Sequence, residues 1–169
     1  PRKRWPAGVR RKGSIQGFDV GRAVSFADDP GWVAELQALR LAAPGDVPDD
    51  LLAGAVATLG RWAKNWPARP VCVVPLPAPN MASNRTLAEH IARKGRLPLH
   101  DVFSWVGGPA PDDASSTPVV AHLESAIRLA ADAELPNGPV LMVASTVRTR
   151  WAATVAAALL RENGARSEE

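Results

Sequence analysis

A short segment rich in hydroxyl and guanidinium groups separates an apolar run from a helical stretch near the C-terminus. It reads Ala-Ser-Thr-Val-Arg-Thr-Arg over residues 144–150. Hydroxyls and backbone amides at a helix N-terminus bind phosphate oxygens, and arginine adds a bidentate, permanently charged donor. The candidate phosphate-binding residues are Ser145, Thr146, Arg148, Thr149 and Arg150. The alternative is that both arginines are solvated surface residues.

A second concentration of charge occupies the N-terminus, where six cations fall within the first twelve residues. The candidate nucleic-acid-binding residues are Arg2, Lys3, Arg4, Trp5, Arg10, Arg11 and Lys12. The whole chain carries +3, so the remainder carries −3, and electrostatic attraction for nucleic acid is concentrated in this arm. Trp5 can stack on an unpaired base while the arginines hold phosphates, or it can pin the arm to the body.

Other residues capable of chemistry are isolated. The single cysteine, Cys72, lies in an apolar run and is interpreted as a buried structural thiol. The three histidines share no ligand spacing with a cysteine or a carboxylate pair, so we expect no metal site. Asp112 and Asp113 form either a carboxylate pair or a solvated loop tip, and we favour the loop tip. We therefore expect no catalytic residue and no metal ligand.

Two short apolar runs predict strands that are covered on both faces, as in a parallel sheet. They occupy residues 71–74 and 139–143, and the second directly precedes the segment 144–150. A helix is predicted after each strand, one beginning near Ser83 or Asn84 and the other over residues 151–162. The order strand, loop, helix, excursion, strand, loop, helix implies right-handed crossovers and a parallel sheet.

The remaining segments complete an α/β organisation. We predict helices from Trp32 and from residues 46–48, and a further helix that carries Val120, Leu123, Ile127 and Ala130. Residues 104–118 are rich in Gly, Pro, Asp and Ser and are predicted to form a loop or flap. The predicted division is an irregular basic arm or linker over residues 1–30 and an α/β domain over residues 31–169.

The segment 144–150 resembles the phosphoribosyl-diphosphate loop of type I phosphoribosyltransferases. In that family a strand is followed by two acidic residues, three variable positions, Thr-Gly, a small residue and Thr. Here the two acids fall on Ala144 and Ser145, the glycine falls on Arg150, and the last threonine falls on Ala152. In members of that family, as the resemblance implies, the two acidic residues hold the ribose hydroxyls and the glycine leaves room for the 5′-phosphate. We therefore expect a type I phosphoribosyltransferase-like parallel sheet with flanking helices, without the transferase activity.

A wider resemblance connects pieces spread over the whole chain. These are residues 1–8, 21–32, 47–50, 69–74, 95–99 and 138–143 with the helix that follows. They look like the C-terminal region of RecQ-like ATP-dependent DNA helicases of actinobacterial type, in which a phosphoribosyltransferase-like domain follows the motor. The resemblance implies that ATP and magnesium bind to that motor. The present chain has neither a Gly-x-x-x-x-Gly-Lys-Ser/Thr loop nor an Asp-Glu-x-His element.

The resemblance implies a role in DNA repair and recombination, with DNA and the motor of the same polypeptide as partners. It also implies a cytoplasmic, nucleoid-associated location and no cofactor in this part. The alternatives are a working phosphoribosyltransferase and a protein-interaction scaffold without affinity for nucleic acid. Because no run of about 18 apolar residues occurs, we expect no membrane partner. The start at Pro1 and the lack of a strand after Gly164 lead us to expect a fragment, truncated at its C-terminus.

Overall fold

The computed structural model describes residues 3–16, 21–25, 30–111 and 115–163. The helices within these residues are α1 (Val33–Leu41), α2 (Asp49–Trp62), α3 (Ala82–Gly95), α4 (Ser116–Ala126) and α5 (Arg150–Glu162). The strands are β1 (Cys72–Pro75), β2 (Phe103–Trp105), β3 (Ile127–Leu129) and β4 (Val140–Val143). None of the helices in the described part of the chain is both long enough and apolar enough to cross a membrane.

The two apolar runs form the parallel pair that the sequence predicts. β1 lies beside β4, with Cys72 opposite Val140 and Pro75 opposite Val143. On the other side of β1, Val73 forms a parallel bridge with Leu99. Its amide donates to the Pro98 carbonyl and its carbonyl accepts from His100, both at 2.9 Å. The protein is therefore an α/β chain with a small parallel sheet and flanking helices.

Both faces of this sheet are covered, because successive side chains of β1 point to opposite sides. Cys72 and Val74 belong to one core cluster with residues of α4 and α5. Val73 belongs to a second cluster with residues of α2 and α3. All three side chains have 0% exposure. Full burial of a valine contributes roughly 1.5–3 kcal/mol, so the two clusters hold β1 firmly and fix where its carboxyl end lies.

The structure corrects the predicted limits of the excursion between the two halves. The helix expected to include Ile127 and Ala130 ends at Ala126, and the chain continues as β3. β3 pairs antiparallel with β2, which lies more than twenty residues earlier in the sequence. The helix prediction was wrong there because the partner strand is distant in sequence and leaves no local signal. The flap predicted over residues 104–118 is also shorter, because its first residues belong to β2 and its last residues belong to α4.

The start of α3 is a second correction. α3 begins at Ala82, and its first amide donates at 3.2 Å to the side-chain oxygen of Asn80. Ser83 and Asn84 therefore lie inside the helix and do not cap it. The predicted α5 differs by one residue, since it begins at Arg150. Asp112, Asp113 and Gly164 lie outside the described residues.

Candidate nucleic-acid interface

The segment 144–150 lies at the carboxyl edge of the parallel sheet, as predicted. β4 ends at Val143 and α5 begins at Arg150, so the segment crosses from the end of the strand to the start of the helix. The chain leaving β1 lies at the same edge, because β1 and β4 run parallel. The Leu76 amide donates to the Val143 carbonyl at 2.7 Å and joins the two chain segments as they leave the sheet. In open α/β sheets this edge is where ligands bind.

Asn84 of α3 connects these two loops through its side chain. Its Nδ2 donates to the Leu76 carbonyl at 2.7 Å. Its Oδ1 accepts from both the backbone amide and the hydroxyl of Ser145, each at 2.8 Å. Asn84 is only 2% exposed, so these bonds are shielded from competing water. Both polar groups of Ser145 are therefore bonded inside the protein, at a position that was predicted to contact phosphate.

The sequence contained a signal for this residue that the helix-cap interpretation overlooked. Asn84 precedes Leu87 by three residues and Ile91 by seven, so all three lie on one face of α3. That face is buried, since Leu87 and Ile91 are 8% and 6% exposed. A buried polar side chain needs a hydrogen-bond partner. An asparagine on an apolar stripe thus indicates an internal contact.

The rest of the segment faces outward. Residues 146–150 are exposed, and Val147 is 57% exposed. Thr149 precedes α5 with an extended backbone, and its hydroxyl makes no capping bond. The first turn of α5 contains no acidic residue and begins with Arg150. A cation at the positive end of a helix is unfavourable by itself and compatible with an anion bound there. Arg148 also makes an interaction of its own.

The basic arm is folded back on itself and packed on the body. Arg4 and Ser14 form an antiparallel bridge, and the Trp5 amide donates to the Gly13 carbonyl at 3.1 Å. Val9, at the turn between them, is 3% exposed and belongs to the core cluster of α4 and α5. The Thr117 hydroxyl donates to the Ala7 carbonyl at 3.1 Å. The described part of the arm therefore has a defined position on the α/β body.

A buried carboxylate fixes the arm to α4. Glu124 accepts the backbone amides of Arg10 and Arg11 at 3.0 and 3.1 Å. Its Oε1 lies 3.7 Å from Nε of Arg11, whose guanidinium also forms an ion pair with Glu162 of α5. The Arg11 and Glu124 side chains are only 10% and 7% exposed. Arg11 was predicted to bind nucleic acid, but the structure places its charge inside the junction between arm and body.

Trp5 packs the arm against the beginning of α5. Its ring centroid lies 6.2 Å from that of Trp151, with the ring planes inclined by 33°. The guanidinium carbon of Arg11 lies 5.7 Å from the Trp5 ring centroid, within the range of a cation–π contact. Trp5 is thus half-buried between two side chains and pins the arm. Because Trp151 directly follows Arg150, this contact brings the two predicted basic elements together.

The remaining arm cations differ in what they contact. Lys3, Arg4 and Arg10 are exposed, while Arg2 lies outside the described residues. Lys12 is exposed as a residue, but its Nζ donates to the Val9 carbonyl at 2.7 Å and so helps to close the turn of the arm. Among the candidate nucleic-acid-binding residues, Lys3, Arg4 and Arg10 therefore remain as the cations that are exposed to solvent.

Cys72 and the possible metal ligands are the remaining candidates for chemistry in the sequence. Cys72 is 0% exposed, and burial raises the pKa of its thiol from 9.0 to about 11, so it is a buried structural thiol. Within the described ranges, no group of three or more His, Cys, Asp or Glu side chains is placed to hold a metal ion. A cavity of about 530 Å³ lies between α4, β3 and the end of α5, with Arg10 and Arg128 on its wall. No residue of the segment 144–150 lines it.

Comparison with known proteins adds no family to this description. No protein-family model, no curated protein and no solved structure matches the chain. We therefore infer the function from the geometry and the charges of the described residues.

Proposed function

We propose that this chain is a non-catalytic, phosphoribosyltransferase-like accessory domain of a RecQ-like ATP-dependent DNA helicase, and that it helps the helicase to engage DNA. The contact between Trp5 and Trp151 carries the proposal. It holds the arm against the first turn of α5, where the exposed Arg150 lies. The arm therefore contacts the helix whose first turn carries the second cationic element, although the two elements are far apart in sequence.

The chemistry of these two elements favours a phosphate backbone. Lys3, Arg4 and Arg10 in the arm and Arg148 and Arg150 beside α5 are exposed cations. Lysine and arginine side chains that neutralise DNA phosphates release counterions, and this release drives binding of any sequence. The rest of the chain is mildly acidic, so the attraction is localised to these elements.

The loop supports a non-catalytic role. A loop that holds ribose hydroxyls through carboxylates needs acidic side chains, and residues 144–150 contain none. The hydroxyl and amide of Ser145 are both bonded to Asn84. The loop can therefore bind a phosphate through its arginines and threonines, but it has no carboxylate to hold the hydroxyls of a sugar.

The parent helicase supplies the remaining parts of this proposal. ATP and magnesium bind to the motor of the same polypeptide, and this domain packs against that motor or holds the DNA beside it. The parent protein then acts on the nucleoid in the cytoplasm, in DNA repair and recombination.

Fluorescence anisotropy with labelled single-stranded and forked DNA tests the proposal. The arm variant replaces three exposed cations by glutamine: Lys3→Gln, Arg4→Gln and Arg10→Gln. On single-stranded DNA at 0.1 M salt, loss of three phosphate contacts is expected to lower the affinity about 100-fold. Arg93→Gln/Lys94→Gln/Arg96→Gln is the matched control, since these three exposed cations lie at the end of α3, at the opposite edge of the sheet. Equal affinities for the wild type and the arm variant would remove the arm from the proposal.

The two alternatives are separated by other ligands. A working phosphoribosyltransferase binds phosphoribosyl diphosphate in the presence of magnesium, and we expect calorimetry at millimolar ligand to show no heat of binding. A scaffold without nucleic-acid affinity forms a stable complex with the motor in the absence of DNA and shows no anisotropy change with DNA.

A further inference from the structure

We infer that Asn84 is a positioning residue, which locks the loop after β4 in one shape without a ligand and so presents its arginines to DNA. The inference rests on the proposed function for the DNA contact, whereas the lock itself is tested without DNA. Asn84 lies on α3, outside both of the basic elements, and its side chain is buried.

Both polar atoms of the Asn84 side-chain amide take part in the lock. Nδ2 donates to the carbonyl of Leu76, at the end of β1, and Oδ1 accepts two bonds from Ser145, after β4. The two loops at the carboxyl edge are therefore tied to the same side chain. At 2% exposure the amide has no access to bulk water, so opening the loop leaves buried polar groups unpaired.

The direction of these bonds fixes which loop residues face outward. Both donors of Ser145 point to Asn84, so the solvent-facing part of the loop begins at Thr146. A carboxylate at position 145 would face the oxygen of Asn84 and would require the amide to turn over. The turned amide would then direct its oxygen at the Leu76 carbonyl. The serine and the asparagine are therefore matched to each other.

This arrangement predicts energetic coupling between Asn84 and the loop arginines. In the wild type, the loop variant Arg148→Gln/Arg150→Gln is expected to lower single-stranded DNA affinity about 25-fold at 0.1 M salt, for two lost phosphate contacts. In an Asn84→Ala background residues 144–149 are no longer held, so the contribution of Arg148 is lost while Arg150 stays on α5, and the same change is expected to lower the affinity only about fivefold. The arm variant should have the same effect in both backgrounds, because the hydrogen bonds of the Asn84 side chain go to Leu76 and Ser145 and to no residue in the described part of the arm.

A double-mutant cycle by anisotropy, with circular dichroism to verify folding, measures this coupling. If Asn84 only supports the fold, the loop variant loses the same factor in both backgrounds, and the inference is overturned. Asn84→Asp separates the two halves of the lock, since a carboxylate still accepts both Ser145 bonds but offers no donor to the Leu76 carbonyl. It is expected to retain more of the loop contribution than alanine does.

Amide hydrogen exchange tests the lock in the wild-type protein, so the inference stays testable if the alanine variant does not fold. The Ser145 amide is expected to exchange at least about tenfold more slowly than the amides of Thr146 and Val147, which face solvent. Equal rates would overturn the lock. If the wild type shows slow exchange at Ser145 but does not bind DNA, the proposed function fails and the lock remains.

Discussion

Replacing Glu124 by alanine is expected to detach the arm from the body and to lower the free energy of unfolding. The carboxylate accepts two backbone amides of the arm and lies beside the buried charge of Arg11. Without it, both amides lose their acceptor, and the guanidinium keeps only Glu162 as a charged partner. The arm then has Val9, Trp5 and the Thr117 bond to hold it in place.

The magnitude follows from the burial of the pair. A hydrogen bond to a charged group contributes about 1.5–3 kcal/mol, and removing one partner of a buried ion pair destabilises by about 3–5 kcal/mol. The two values are not added, because both describe the loss of the same carboxylate. We therefore expect a loss of about 3–5 kcal/mol for Glu124→Ala. Glu124→Gln keeps one acceptor oxygen and should lose about half as much. A domain of this size has about 5–15 kcal/mol in total, so the change is large.

Urea unfolding followed by tryptophan fluorescence measures these free energies. Glu162→Gln is the matched control, because it removes the other ion-pair partner of Arg11 from a side chain that is 55% exposed. It should lower the free energy of unfolding by at most about 1 kcal/mol. If Glu124→Ala stays within about 0.5 kcal/mol of the wild type, the arm is not held by this carboxylate and the reasoning fails.

Three further predictions concern the core and the junction. Because burial raises the pKa of Cys72 to about 11, its contribution to stability is complete below pH 9 and is lost as the pH rises towards 11. Urea unfolding at several pH values should show that the free energy of unfolding falls more steeply at alkaline pH in the wild type than in a Cys72→Val control. An equal fall in both proteins would contradict the raised pKa. Gly138 has a φ of +137°, and an added Cβ would lie 2.8 Å from a methyl carbon of Val71, so Gly138→Ala should destabilise by about 2–4 kcal/mol. Gly60→Ala on α2 is the control: an added Cβ there meets nothing within 4 Å, so the protein should be stabilised by up to about 1 kcal/mol. A similar loss of stability in the thermal unfolding of both variants would show that the backbone and the Val71 contact at Gly138 cause no strain. Trp5→Ala leaves every charge in place but removes the contact between the arm and the start of α5, so DNA affinity measured by anisotropy should fall. An unchanged affinity would show that this contact is unnecessary for binding.

The local parts of this fold were predictable, because short-range patterns determine them. An apolar run between prolines indicates a strand, and residues 71–74 match β1 to within one residue. The spacing of Trp151, Val155 and Leu159 predicted α5 to within one residue. The position of the segment 144–150 at the sheet edge followed from the second apolar run, which forms β4, and from α5.

Apart from the start of α3, the missed features depend on partners that are distant in sequence. Glu124 meets amides 113 and 114 residues away, and Ser145 meets a side chain 61 residues away. β3 exists because β2 lies beside it, which the helix-like pattern of Leu123 and Ile127 does not indicate. The sequence therefore identified the basic elements, and the structure was needed to show that Arg11 is used in packing and that Ser145 is held by Asn84.

The salt dependence of DNA affinity tests the central claim most directly, because each phosphate contact adds to its slope. On single-stranded DNA the logarithm of the association constant falls with the logarithm of salt concentration by about 0.7 per neutralised phosphate. The account predicts that the slope becomes shallower by about 2 in the arm variant, by about 1.4 in the loop variant, and by the sum of these when the two are combined. Slopes identical to that of the wild type would contradict a shared DNA surface formed by the arm and the loop.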